Sequence, residues 1–178
     1  MKNLIKIITI LFILVGCKNQ NQNVTEQPKS NFDITKDYSE FKTKMTEQDT
    51  IKVWTAITAC TYQVVEKLTI TKKGQQITIT PEIKEGLFAD KKFEKQKSIT
   101  ISENDTIWKF GKFMKKYSNR ITTEKDSIGK FYIKCNSRKF HFTTKRWDNE
   151  FLLDYCTVMK SIYPKSKYHF YEHIEIVE

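Results

Sequence analysis

The pattern of apolar and polar positions divides the chain into three parts. Leu4 to Val15 is an almost unbroken run of Ile, Leu, Phe and Val, whereas residues 17–34 are mostly Asn, Gln, Ser, Thr and Lys. This polar stretch has too little apolar surface to offset the entropy of ordering it, so it is predicted to be a flexible tether. Residues 35–178 mix apolar and polar positions throughout, and we expect them to form one domain.

Strand periodicity dominates the first half of that domain. Apolar and β-branched residues alternate over 51–57, and residues 68–71 and 77–80 are predicted to form a hairpin around Gly74, with Pro81 ending its second strand. The high content of Thr and Ile favours strands, because β-branched side chains lose rotamer freedom in helices. A helical alternative exists for the first of these segments, since one helical face would carry Val53, Ile57, Cys60, Val64 and Leu68.

Helical periodicity appears at three places. A short helix is predicted from Thr35, a longer one from Asn104 or Asp105, and another from near Asp148 to just before Pro164. The apolar faces of the two longer helices consist of Ile107, Phe110, Met114 and Tyr117 in one, and Phe151, Tyr155, Val158 and Ile162 in the other.

Further strands are predicted at 98–101, 131–133, 140–142 and 168–177, where apolar residues alternate. The resulting order is strands, helix, two strands, helix and strand. It predicts an α+β domain with a mostly antiparallel sheet of about six to seven strands and two main helices packed on one face.

The N-terminus has the features of an export signal. Lys2 and Lys6 precede about a dozen apolar residues, which are too few for the ~20 that a membrane-spanning helix needs. The sequence Leu14-Val15-Gly16-Cys17 resembles the lipobox of bacterial lipoproteins. The resemblance implies that residues 1–16 form a lipoprotein signal peptide that is removed, and that lipid on Cys17 anchors the protein to a membrane. An ordinary cleaved signal and an uncleaved anchor are the alternatives.

The resemblance also implies a place in the cell. A lipidated protein of this kind belongs to the bacterial cell envelope. Lys18 and neutral amides, rather than an acidic cluster, follow Cys17, so we expect the domain to face the periplasm.

The charge is strongly basic, at a formal +10, but almost all of it comes from Lys. Proteins that read nucleic acid usually use Arg, and only three Arg are present, so no nucleic-acid partner is predicted. We interpret the charge mainly as an aid to solubility. Lys109, Lys112 and Lys116 lie opposite the apolar face of the predicted helix and form a possible basic contact face for lipid head groups or an acidic protein. A solvated helix face is the commoner explanation of such a pattern.

Apart from Cys17, the chain contains Cys60, Cys135 and Cys156. One disulfide is compatible with export, and we name Cys60–Cys135 as the possible pair because both lie in predicted strands. Buried free thiols are the alternative. The odd number and the lack of a CxxC motif argue against a zinc site.

Catalytic chemistry has little support in the sequence. His169 and His173 would lie ~13 Å apart on one strand, too far to share a metal ion, so neither a metal nor a cofactor is predicted. His141 could act as the base for a cysteine nucleophile, with Asp148 or Asp154 orienting it, but no local motif marks such a site. No phosphate-binding glycine motif occurs, and no catalytic residue is assigned.

Three hypotheses follow for the function. The leading one is a non-enzymatic exported lipoprotein that binds a protein or an anionic envelope component, for example an immunity-type inhibitor or an envelope adaptor. The alternatives are an envelope enzyme with a Cys/His site and a purely structural lipoprotein. Exposed rings on a flat sheet would favour binding, and the rings in question are Trp54, Trp108, Trp147 and those of residues 168–171.

Overall fold

The computed structural model describes residues 30–59, 62–87, 92–123, 131–136, 138–143 and 149–165. Within these ranges the chain forms one antiparallel sheet and three α-helices, so the predicted α+β class is confirmed. The helices are α1 (Phe41–Lys44), α2 (Phe110–Lys116) and α3 (Asn149–Lys160). The strands are β1 (Thr50–Ala59), β2 (Tyr62–Lys73), β3 (Gln76–Leu87), β4 (Glu94–Lys95), β5 (Ile99–Ser102), β6 (Ile121–Thr122), β7 (Phe131–Cys135) and β8 (Arg138–Phe142).

The described strands lie in the order β4-β3-β2-β1-β7-β8-β6, with β5 pairing β3 farther along its length. Strands β1, β2 and β3 form a long meander, and the central strand β1 pairs on its other side with β7. Successive side chains of a strand point to opposite faces, so the sheet has two distinct surfaces. We call the face of Val53 and Ile133 the inner face, and the face of Trp54 and Tyr132 the outer face.

The β2–β3 hairpin forms as predicted, with Gly74 in the left-handed region at φ 56°. Pro81 does not end β3, however, which continues to Leu87. The Pro81 carbonyl accepts a 2.8 Å bond from the Gln96 N–H, so its nitrogen faces the same edge. That edge lies between the segments of β3 that pair with β5 and with β4, so the missing N–H of Pro81 leaves the pairing of β3 with β2 intact.

Aromatic rings dominate the core on the inner face. The ring of Phe131 in β7 contacts Phe113 of α2 and both Phe151 and Tyr155 of α3, with centroids 5.0–5.8 Å apart. A second group joins α1 to the start of α2, where the rings of Phe41, Trp108 and Phe110 lie 5.1–5.7 Å from one another. Phe113 is 4% exposed, and the other six of these aromatic residues are at most 2% exposed, namely Phe131, Phe151, Tyr155, Phe41, Trp108 and Phe110.

Helix α2 is shorter than predicted and begins at Phe110 rather than near Asp105. The Asp105 carboxylate accepts bonds from the backbone N–H groups of Ile107 and Trp108, which hold this segment in a capped turn. Ile107 is consequently 63% exposed instead of facing the core. Helix α3 begins and ends close to its predicted limits, and its predicted face is buried at Phe151, Tyr155 and Val158.

The described chain is already packed within the predicted tether. Ile34 is fully buried in the core, and the Ser30 hydroxyl donates a 2.8 Å bond to Asp49. The Asp49 carboxylate also accepts bonds from Thr46 and from the Asn136 side chain, so it joins three separated parts of the chain. Residues 1–29, Trp147 and the predicted strand 168–177 with His169 and His173 lie outside the described residues.

Candidate functional site

The outer face of the sheet carries a row of aromatic side chains across β1, β7 and β8. Trp54 lies directly opposite Tyr132, which lies directly opposite His141. The rings of Trp54 and Tyr132 stack with their centroids 5.7 Å apart and their planes within 10°, and the His141 ring follows at 5.7 Å. Phe93, just before β4, extends the row with an edge contact 5.7 Å from Trp54. We call these four residues the aromatic row.

Lysine ammonium groups lie against the rings of this row. The Lys67 Nζ is 3.5 Å from the Phe93 centroid and 5.0 Å from that of Trp54, while the Lys139 Nζ is 4.0 Å from that of Tyr132. Such contacts are worth roughly 0.5–1 kcal/mol at exposed sites. Partial burial in this arrangement raises the pKa of Tyr132, so its hydroxyl is neutral at physiological pH.

A second row, made of lysines, runs beside the first and in register with it. Lys52 lies directly opposite Lys134, and Lys134 directly opposite Lys139, and all three are exposed. Like charges directly opposite one another destabilise a sheet. Among the described residues, no carboxylate forms an ion pair with Lys52 or Lys134. We call these three residues the lysine row, and its positive charge faces solvent.

An open depression of about 390 Å³ adjoins the lysine row. Among the described residues its lining comprises Gln48, Thr50, Lys52, Lys134 and Asn136, which include two cations and no acid. Asn136 is held in place, because its side chain accepts a 2.9 Å bond from the Thr50 N–H and donates a 2.8 Å bond to the buried Asp49. The lining therefore combines a fixed polar wall with the side chains of two exposed lysines.

The part of the outer face where β3 pairs with β5 is rich in hydroxyl groups. Thr78 of β3 lies opposite Thr100 of β5, and Thr80 bonds Ser98 at 2.8 Å. Thr69 lies opposite Thr80 on one side and opposite Lys52 on the other, between this part and the lysine row. Farther along the same face the charges alternate in sign, because Glu82 lies opposite Lys67 on one side and Lys95 on the other.

The predicted basic face on α2 is divided by local contacts. Lys116 pairs with Glu150 at 2.8 Å and Asp154 at 2.7 Å, both on α3. Lys109 precedes the helix and donates to the backbone carbonyl of Thr106. Lys112 is exposed. The three lysines lie on the helix side of the domain, and within the described ranges Lys112 alone of the three has neither of these kinds of contact.

The residues of the hypothetical Cys/His site do not meet. His141 lies opposite Tyr132 on the outer face, whereas Cys135, opposite Arg138, lies on the inner face and is 5% exposed. Burial raises the pKa of the Cys135 thiol to about 11, and burial with the nearby Glu66 raises that of Cys156 further. Both cysteines are therefore neutral thiols at physiological pH and poor nucleophiles. Cys135 is free in the structure and Cys60 lies outside the described residues, so the bridge between them stays a prediction.

A carboxylate is buried in the core beside α3. Glu66 is 1% exposed and accepts a 2.5 Å bond from the hydroxyl of Tyr155. Burial first, and the charge of Glu66 second, raise the pKa of Tyr155 well above its ordinary value. Because both side chains are enclosed, the pair stabilises the packing of α3 on β2 and has no access to a solute.

Nothing in the described ranges brings three or more His, Cys, Asp or Glu side chains together in a way that could hold a metal ion. None of the helices there has both the length and the hydropathy that a bilayer crossing requires. Comparisons with protein-family models, with curated proteins and with solved structures find no match. The chemistry of the described surface is therefore the guide to function.

Proposed function

We propose that this chain is an exported lipoprotein, anchored by lipid on Cys17 in the bacterial cell envelope with its domain facing the periplasm. Its activity is binding rather than catalysis. Helices α2 and α3 cover the inner face of the sheet, and the outer face over β1, β7 and β8 contacts an anionic protein or envelope component. An immunity-type inhibitor or an envelope adaptor would use such a surface.

The observation that carries this proposal is the lysine row, Lys52, Lys134 and Lys139, in register across three strands. Stability alone would favour alternating charges at directly opposed positions. A row of one sign costs folding energy and creates a positive surface that attracts an anionic partner and speeds its encounter. The adjoining aromatic row adds the half-buried Trp and Tyr side chains that are enriched in binding surfaces.

The enzyme hypothesis has weaker support. The base and the nucleophiles that it requires lie on opposite sides of the sheet, as His141 and Cys135 do, and neither thiol is ionised. A purely structural lipoprotein would not need a row of opposed like charges. Binding accounts for both features together.

The binding proposal can be tested by cross-linking the protein to its partners in cell envelopes and measuring how much partner is recovered with it. A variant with Lys52→Gln, Lys134→Gln and Lys139→Gln removes the lysine row and relieves its repulsion, so it should fold normally. We expect its yield of cross-linked partner to fall at least about tenfold, which corresponds to ~1.4 kcal/mol. The matched control is Lys109→Gln, Lys112→Gln and Lys115→Gln, which removes the same charge from the helix side.

The control should recover as much partner as the wild type. Loss of the partner in the control alone would move the site to the basic face of α2. Equal recovery in all three proteins would contradict a role for the outer face.

The anchor has its own test. Cys17→Ser removes the thiol that would carry the lipid, and we expect the protein to leave the membrane fraction or to stay unprocessed. Fractionation and the mass of the N-terminal peptide measure both outcomes. Normal processing with full membrane retention would contradict the lipobox assignment.

A further inference from the structure

The two central rings of the aromatic row, Trp54 and Tyr132, have neighbours on both sides. Strands β1 and β8 flank β7 on opposite sides, so Trp54 and Lys139 approach Tyr132 from opposite directions. The Lys67 ammonium lies against both Trp54 and Phe93. Stacking on an open ring face is the usual way in which aromatic side chains bind the bases of single-stranded nucleic acid. Here Trp54 and Tyr132 are already flanked, and the row instead holds Lys67 and Lys139 against its rings.

The depression beside the lysine row has the shape and charge to receive a protruding acidic group. It is concave, at about 390 Å³, and the two cations of its lining are Lys52 and Lys134. A flat bilayer surface cannot enter a concavity of this kind. A carboxylate side chain on a folded partner can enter it, leaving the rest of the partner on the exposed lysine row.

We infer that the outer face docks an acidic protein, with an Asp or Glu side chain of that partner seated in the depression between Lys52 and Lys134. This inference rests on the proposed function and specifies its partner. Two ammonium groups facing one carboxylate make charge-assisted hydrogen bonds, which are roughly twice as strong as neutral ones. The bound carboxylate also relieves the repulsion between the two opposed lysines, so binding removes a strain that the free protein carries.

Zero-length carbodiimide coupling tests the contact directly, because it joins a carboxylate to an amine only when the two touch. The full-length protein in zwitterionic detergent micelles is mixed with an alanine-based helical peptide of about 20 residues that carries Glu at i, i+4 positions on one face. A peptide with Gln at the same positions is the control. Peptide mapping by mass spectrometry then locates the amide bonds.

We expect cross-links to Lys52 and Lys134 with the Glu peptide, at least about fivefold above those to the exposed Lys112. The variant with Lys52→Gln and Lys134→Gln should bind the Glu peptide at least about tenfold more weakly, whereas Thr78→Ala, on the hydroxyl-rich part of the same face, should leave its affinity unchanged. Cross-links spread equally over Lys112 and the two lysines of the depression would overturn the inference.

Two further arms separate other anions from an acidic protein. If phosphatidylglycerol vesicles bind through Lys52 and Lys134 while the peptide gives no cross-link there, the face belongs to lipid and the inference fails. If inorganic phosphate at millimolar concentration displaces the peptide completely, the depression is a phosphate site and the inference again fails.

Recovery of envelope partners tests the binding face, whereas peptide coupling tests its carboxylate ligand, so the two can fail separately. Loss of envelope partners in the triple lysine variant, without peptide coupling in the depression, would leave the binding face standing and remove only its carboxylate ligand. Retention of envelope partners by that variant would remove both.

Discussion

Replacing Asp49 by Ala should detach the N-terminal segment around Ser30 from the rest of the domain. The carboxylate accepts hydrogen bonds of 2.7–2.8 Å from the Ser30 hydroxyl, from both the N–H and the hydroxyl of Thr46, and from the Asn136 amide. Asp49 is 1% exposed, so its charge depends on these donors. Its removal breaks the link between Ser30, the start of β1 and the β7–β8 turn at the same time.

The expected cost is about 2–4 kcal/mol. A hydrogen bond to a charged group contributes roughly 1.5–3 kcal/mol, but the four bonds do not add because they share one acceptor. The three donor residues are partly or fully exposed, namely Ser30, Thr46 and Asn136. Water can therefore form new hydrogen bonds with their donor groups and offset part of the cost. A domain of this size is typically stable by 5–15 kcal/mol, so the variant should fold with a clearly lower unfolding midpoint.

The pH dependence of stability tests the same four hydrogen bonds independently. Burial alone would raise the pKa of Asp49, but the donors from Asn136, Thr46 and Ser30 more than offset it and hold the pKa below its ordinary value of 3.8. A lowered carboxyl pKa contributes stability that is present above the ordinary value and is lost as the pH falls through the lowered one. The difference in the free energy of unfolding between wild type and Asp49→Ala should therefore become smaller below about pH 4.

Urea unfolding of the full chain, followed by tryptophan fluorescence at pH 7 and at pH 3, measures both effects. Glu40→Gln is the matched control, because it removes one negative charge from a 65% exposed side chain paired with Lys44. It should change the free energy of unfolding by no more than about 0.5 kcal/mol. A cost for Asp49→Ala no greater than that of the control, or a difference in stability that stays constant down to pH 3, would contradict the stabilising role of the Asp49 carboxylate.

Two other predictions concern packing. Gly111→Ala places a Cβ against the backbone carbonyl oxygen of Tyr38, closer than real contacts allow. We therefore expect the free energy of unfolding to fall by about 1–2 kcal/mol in the same urea assay, despite the better helix propensity of Ala. Lys112→Ala, on the exposed side of the same helix, should leave the free energy of unfolding unchanged. The thiols of Cys135 and Cys156 should resist alkylation at pH 8 in the native protein and react fully in urea, as judged by peptide mass. Rapid native labelling of either would contradict its burial.

Local sequence patterns predicted the elements whose signals lie within one segment. The β2–β3 hairpin follows from alternation on both sides of Gly74, and α3 follows from the spacing of Phe151, Tyr155 and Val158. The continuation of β3 through Pro81 could not be predicted, because it depends on where β4 and β5 leave that edge unpaired. The late start of α2 could not be predicted, because an Asp that caps a turn and an Asp that caps a helix have the same sequence signal, and only the bonds to Asp105 distinguish them.

The candidate site lay beyond sequence reasoning for a different reason. Alternation alone places Lys52 and Trp54 on the same side of β1. Their partners Lys134 and Tyr132 are about eighty residues farther along the chain, and the pairing depends on the register between β1 and β7. Register is decided by which side chains fill the shared core, so it emerges only from the assembled fold. The lysines on α2 were visible to sequence analysis because helical spacing is local.

The burial of Ile34 and the bond from Ser30 to Asp49 also set a working distance. For a chain held by lipid on Cys17, only residues 18–29 separate the anchor from the packed domain, and even fully extended they would span about 40 Å. That length limits how far Ser30 could lie from such an anchor. A partner of a chain anchored in this way would have to come close to the membrane surface to be captured.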